Sequence, residues 1–260
     1  MATPTNLSEF SALLEIIARL RAPDGCPWDR EQTHQSLAPN LIEECYEVLE
    51  TLDSRDTSKL CQELGDVLMQ VVLHSQIAAE SGEFTINDVI KSISAKLIHR
   101  HPHVFGETRM KNSQEVVHNW EVLKRQERPA GTALLSGVPK NMPALAYAQA
   151  IQLRAANVGF DWPDIEGVID KVAEEVNELK EAPSTSEKEN EFGDLLFTLV
   201  NVARRMHIDP ETALRHANGR FYERFSRMEE ICRGRGLSLD RMSLSEKDAL
   251  WEEAKRQLQK

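Results

Sequence analysis

Residues 43–66 read EECYEVLETLDSRDTSKLCQELGD, and their periodicity decides the fold. Glu44 and Glu47 stand three apart, as do Glu63 and Asp66. At about 100° per residue such a pair shares one helix face. Leu41, Cys45, Val48, Leu49 and Leu52 fan out on one side of the first pair. Leu60, Leu64, Val67, Leu68 and Val71 do the same beside the second. A solvated acid row lies opposite such a stripe. These acids border it, where two packed helices aim all four inward.

The device recurs. Glu175 and Glu178 in EEVNE are followed by Glu191 and Asp194 in EFGD. Val168, Val172, Val176 and Leu179 flank the first pair; Phe192, Leu195, Leu196 and Leu199 flank the second. LRAPDGCPWD is echoed by LRAANVGFDW, NWEVLKRQ by LWEEAKRQ, and SAKLIHR aligns with NGRFYER. The duplication runs through almost the whole chain. It predicts an all-α protein of two tandem four-helix-like bundles: 1–128, a linker at 129–143 rich in Gly and Pro, and 144–260. Ser8 is expected to cap a first helix ending near Arg21, and Ser113 to cap a later one. The acid helices are expected at about 37–52, 59–80, 165–181 and 187–207. Others are expected near 88–100, 144–156, 210–233 and 245–259, with Pro102 ending the fourth helix of the first half.

With 260 residues, 41% of them apolar, the chain has material for two cores. Cys26, Cys45, Cys61 and Cys232 form no CxxC pair and read as reduced core or boundary residues of a cytoplasmic protein. No apolar run approaches the ~20 residues of a membrane span, and the N-terminus lacks a basic, apolar signal pattern. A net charge of −11 opposes general nucleic-acid binding.

Clustered carboxylates with no nearby histidine or paired cysteine suit a hard cation, Mg²⁺ or its substitute Mn²⁺. Zinc wants sulfur or nitrogen, a di-iron bundle wants Glu-x-x-His, and the calcium-loop pattern is absent. Mg²⁺ is commonly completed by substrate phosphates, whose charge basic side chains must meet. Lys96, Arg100 and Lys124 in the first half, and Arg220, Arg224 and Lys255 in the second, are spaced for that task. The fitting chemistry is attack of water on phosphorus. A lone Glu-x-x-Glu is most often a solvated face, and each tryptophan alone is most often packing. Duplication of the quartet is what outweighs the bland account. Glu43 and Glu174 precede the motif acids and point further from the stripe. Gly65 and Gly193 cost helix stability where another helix or a substrate is expected to come close.

EExxE followed by ExxD, twice, with HRHPHVF between and NVGFDW opening the second half, resembles the MazG family of nucleoside triphosphate pyrophosphohydrolases, within the all-α NTP pyrophosphatase group. The resemblance covers essentially the whole chain. It implies bundles that dimerise and Mg²⁺-dependent hydrolysis of NTP or dNTP to the monophosphate and pyrophosphate, clearing unwanted nucleotides. It places metal acids at Glu175, Glu178, Glu191 and Asp194 with Glu174 adjoining, matched in the first half by Glu44, Glu47, Glu63 and Asp66. It places phosphate or nucleotide contacts at Arg220, Arg224, Trp251 and Lys255. Arg220 stands where a lysine is common, and Lys188 is one register from the family lysine that precedes the ExxD acids. With Pro102 thinning the first basic clamp, the second half is expected to be the more active. A regulatory protein partner is compatible with this picture. The alternatives are a non-catalytic helical module that senses nucleotides or binds partners, and a metal-storage or oxidase bundle, which the missing histidines disfavour.

Overall fold

Side chains at the helix starts set most element boundaries. Asp56 accepts from the backbone N–H of Ser58 and Lys59 and opens a helix over Thr57–Glu80. Thr85 with Asp88, Ser184 with Glu187 and Ser243 with Glu246 form reciprocal capping boxes. The computed structural model describes residues 6–127, 129 and 131–259; the expected domain limits at 1, 128 and 260, and Ala130 of the expected linker, lie outside the described residues. Among the described residues all regular structure is helical.

The chain divides into two compact units, Met1–Arg128 and Pro129–Lys260. The first contains α1 (Phe10–Arg21), α2 (Pro27–Glu31), α3 (Ala38–Ser54), α4 (Thr57–Glu80), α5 (Ile86–Arg100), α6 (Pro102–Phe105) and α7 (Ser113–Gln126). The second contains α8 (Ala144–Ala156), α9 (Glu166–Glu181), α10 (Thr185–Arg205), α11 (Pro210–Arg235) and α12 (Leu244–Leu258). The pairings repeat: α3 packs on α4 as α9 does on α10, α1 on α4 as α8 on α10, and α5 on α7 as α11 on α12. Pro102 ends α5 and starts the single-turn α6, whereas α11 runs unbroken until Gly236 takes a left-handed conformation (φ 64°) and stops it.

Two caps differ from expectation. Ser8 hydrogen-bonds Asn6, and Glu9 precedes α1 without a side-chain cap. Ser113 is the first residue of α7, and Asn112 Oδ1 accepts from the N–H of Glu115 instead.

Unit 1 buries Ile17, Leu37, Val72, Leu73 and Ile77 where α1 and the chain entering α3 meet the C-terminal half of α4. The segment after α2 is fastened there by Arg21, which donates to the carbonyls of Asp29 and Gln32 and to Glu80, and by His34, whose Nδ1 lies 2.8 Å from that of His74. Gly25 is required in this turn, since a Cβ there would lie 2.3 Å from the Leu20 carbonyl oxygen. Unit 2 buries Met228, Ile231, Cys232, Leu250 and Ala254 between α11 and α12. Asp161 holds its α8–α9 connection to α10 through Arg204 (3.1 Å) and Arg205 (3.3 Å). Arg154 donates to the carbonyls of Ser136 and Gly137 and secures the turns that precede α8.

Apart from Val168, which is fully buried, the apolar stripes of the acid helices are largely not the cores. Leu64 is 51% exposed and Phe192 52%, and Leu52, Leu68, Val71, Leu196 and Leu199 are also exposed. Cys45 and Cys61, read as core or boundary residues, are exposed as well. A two-helix hairpin has four sides, and each unit covers only some of them.

Candidate functional site

The α3–α4 hairpin brings one carboxylate oxygen each of Glu44, Glu63 and Asp66 within 4.8 Å of one another. Glu47 adjoins Glu63, whose charge is the largest cause raising the Glu47 carboxyl above its ordinary range. Burial, followed by Asp66, Glu47, Glu43 and Glu63, raises Glu44. The α9–α10 hairpin does the same with Glu175, Glu178 and Glu191, again within 4.8 Å. Burial, then Glu178, Asp194 and Glu175, pushes Glu191 upward. Upward shifts of this origin mark a place short of positive charge.

Glu175 is 4% exposed, and its Oε2 is buried without a hydrogen-bond partner. A buried carboxylate oxygen left unpaired is costly. With oxygen donors only and no sulfur or imidazole among either triad, both clusters fit a hard divalent cation.

One residue in the second cluster escaped the sequence reading. Lys171, one turn before Glu175 on α9, places Nζ 2.7 Å from Glu174, 2.9 Å from Glu175 and 4.0 Å from Glu178. Hydrogen bonds donated to Glu174 and then to Glu175 hold its ammonium well above the usual lysine range. The i,i+3 and i,i+4 spacings in KVAEE were the available signal. Asn40 occupies the corresponding place one turn before Glu44. Glu174 is thus tied to Lys171 and stands at the rim of the cluster.

The basic residues gather round the predicted tryptophans. Arg100 lies 5.3 Å and Lys124 4.5 Å from the Trp120 ring centre; Arg224 lies 5.5 Å from that of Trp251. The two units differ in what else reaches the arginine. Glu127 takes both arms of the Arg100 fork, at 3.0 Å on Nε, and Arg100 with Lys96 and His99 lowers the Glu127 carboxyl below its usual range. No carboxylate pairs with Arg224 among the described residues. Leu258 stands seven residues beyond Trp251, where Glu127 stands seven beyond Trp120. Lys255 approaches Glu252 only at 3.8 Å. Arg220 and Lys96 are exposed on α11 and α5, and Lys188 is exposed one turn before Glu191 on α10. Beside Trp251 a cavity of about 520 Å³ opens between α11 and α12, with Phe221, Phe225 and Leu244 on its walls and Lys247 at its edge.

Gly65 and Gly193 face open space, and a Cβ at either would touch nothing within 4 Å. Among the described residues no other helix comes within 4 Å of that position, so that half of the expectation for these glycines fails.

Comparison with known proteins adds a family. The profile described as the MazG nucleotide pyrophosphohydrolase domain matches residues 32–105, which carry α3, α4, α5 and the first acid quartet. A Thermotoga maritima protein named nucleoside triphosphate pyrophosphohydrolase/pyrophosphatase MazG is 49% identical over 247 residues, covering 95% of both chains. An Escherichia coli K12 protein named nucleoside triphosphate pyrophosphohydrolase is 44% identical over 259 residues, 96% of this chain and 98% of that one. The uncharacterised YabN of Bacillus subtilis is 50% identical over 252 residues, 95% of this chain but 52% of that protein.

Proposed function

The chain belongs to the MazG nucleotide pyrophosphohydrolase family, and from that premise we propose that it hydrolyses nucleoside and deoxynucleoside triphosphates to the monophosphate and pyrophosphate with Mg²⁺, in the cytoplasm. The observation that carries this reading is the acid triad, formed twice, with a buried Glu175 oxygen that no described residue satisfies.

Glu175, Glu178, Glu191 and Asp194 would hold the cation in unit 2, and Glu44, Glu47, Glu63 and Asp66 in unit 1. Mn²⁺ is expected to substitute. The ion supplies neutralisation of phosphate charge and eases deprotonation of the attacking water. The protein's own part is to hold the triphosphate in line with that water. Arg224, over the Trp251 face, and Lys255, one turn after Trp251 on α12, meet phosphate oxygens, with Arg220 and Lys188 approaching from the exposed helix turns. Glu174, at the rim, shares the Lys171 ammonium with Glu175.

Unit 2 is proposed as the principal catalytic seat. Among the described residues no carboxylate pairs with its Arg224, whereas Arg100 in unit 1 is already paired with Glu127. The same pair favours a second role for unit 1, as a nucleotide-sensing module in which Lys96, Arg100 and Lys124 bind only when Glu127 is displaced. The exposed faces of the acid helices support homodimer formation, since burying Leu64, Leu68 and Val71, or Phe192, Leu196 and Leu199, requires an apolar partner surface. Among the described residues no helix is long and apolar enough to cross a membrane, and the four cysteines are free.

The test is product analysis with Mg²⁺ and a panel of NTPs and dNTPs. Monophosphate with pyrophosphate is the expected result, and Asp194→Ala should remove it without loss of helix content. Diphosphate with orthophosphate would overturn the bond assignment. Tight binding without turnover would favour the sensing module for the whole chain.

A further inference from the structure

The two acid clusters are alike in ligand chemistry and unlike in charge. The first brings Glu44, Glu63 and Asp66 together, and the largest effects on Glu44 and Glu47 are burial and neighbouring carboxylates. The second has an ammonium seated in it, with Lys171 Nζ 2.7 Å from Glu174 and 2.9 Å from Glu175. Lys171 is on the same helix as its partners, so the contact is local and does not depend on how the rest of the unit closes. A lysine there and a divalent cation compete for the same Glu175 oxygen set, because like charges a few ångström apart repel strongly in a partly buried site.

We propose that Lys171 is a built-in counter-cation that sets the cation affinity of the second cluster below that of the first, so that the two halves load at different divalent-ion concentrations. This rests on the reading of both clusters as metal sites. Asn40, neutral at the matching position, leaves the first cluster uncompensated and the tighter of the two. A cation entering the second cluster displaces Lys171 from Glu175, and the side chain, partly exposed, has room to leave.

The experiment is titration of the full chain, stripped of metal, with Mn²⁺, reading free ion by electron paramagnetic resonance and heat by calorimetry. Two classes of site are expected. Glu44→Gln should remove the tighter class and Glu175→Gln the weaker. Lys171→Met should tighten the weaker class about tenfold and leave the other unmoved, and Lys171→Arg should keep it weak. Asn40→Lys should weaken the tighter class by a similar factor, an independent check made on the other unit. Equal affinities in the parent chain, unmoved by Lys171→Met and Asn40→Lys, would overturn the inference while leaving the metal sites standing. Absence of any Mn²⁺ binding would overturn both.

Discussion

Glu44→Gln should stabilise unit 1 when divalent cations are absent and weaken it, relative to the parent, when they are present. The Glu44, Glu63 and Asp66 oxygens lie within 4.8 Å of one another. At that distance a pair of unit charges repels by about 3.5 kcal/mol at an effective dielectric of ~20 and by about 0.9 kcal/mol in water. Partial exposure and salt put the two neighbours of Glu44 near the lower limit, so removing its charge gains about 1–2 kcal/mol. The pH dependence has a definite sign. Burial and then Asp66 raise the folded Glu44 carboxyl above its ordinary value. Stability from such a group is full below the unfolded value and is lost as pH rises through the folded one. Without metal, the parent therefore loses more ground between acid and neutral pH than Glu44→Gln, which keeps only the rise at Glu47. With Mg²⁺ at about a hundred times its dissociation constant, binding returns ~2.7 kcal/mol to the parent and little to the variant. Hydrogen exchange of α3 and α4 peptides in the full chain reads this directly. A gain of 1–2 kcal/mol corresponds to roughly 5–30-fold slower global exchange. Faster exchange in Glu44→Gln with chelator at pH 7 would refute the electrostatic account, and an undiminished Mg²⁺ effect in the variant would remove Glu44 from the cation site.

Three further outcomes follow from single contacts. Arg21→Met releases Glu80 and the Asp29 and Gln32 carbonyls, and should lower unit 1 stability by about 2 kcal/mol with an unchanged urea m-value. Asp161 is lowered chiefly by its hydrogen bond with Arg204, so its contribution is present above the unfolded carboxylate value and lost as pH falls through the folded one. Asp161→Asn should accordingly cost unit 2 about 1–2 kcal/mol at pH 7 and nothing at pH low enough to protonate the parent, read by denaturation across pH. Arg224→Lys keeps the charge over Trp251 but not the planar fork, and should reduce kcat/KM for triphosphates about tenfold; an unchanged value would remove Arg224 from the phosphate site.

Much of the architecture was legible because it is local. Helical periodicity around Glu44, Glu63, Glu175 and Glu191 depends on side-chain spacing alone, and capping signals such as Thr85 with Asp88 act within one turn. Of the four acids expected to turn inward in each unit, three converge, Glu44, Glu63 and Asp66 in one and Glu175, Glu178 and Glu191 in the other, while Glu47 and Asp194 lie outside the triads. Neither Ser8 nor Ser113 caps its helix, because several polar residues beside a helix start compete for the same contacts: Ser8 bonds Asn6, and Asn112 takes the N–H of Glu115.

Sequence by itself thus determined the helices, the internal duplication and the oxygen-only character of the two clusters. The tertiary structure decided which carboxylates converge, that the acid-helix stripes stay half open, and that Glu127 takes the Arg100 fork. Lys171 lies between these cases: its spacing was readable, but only packing of α9 against α10 made Glu175 a buried acid with one oxygen unsatisfied. The physical reason is the range of the forces. Propensity and capping act over a turn, whereas burial and the repulsion of converging charges exist only once separate helices have met.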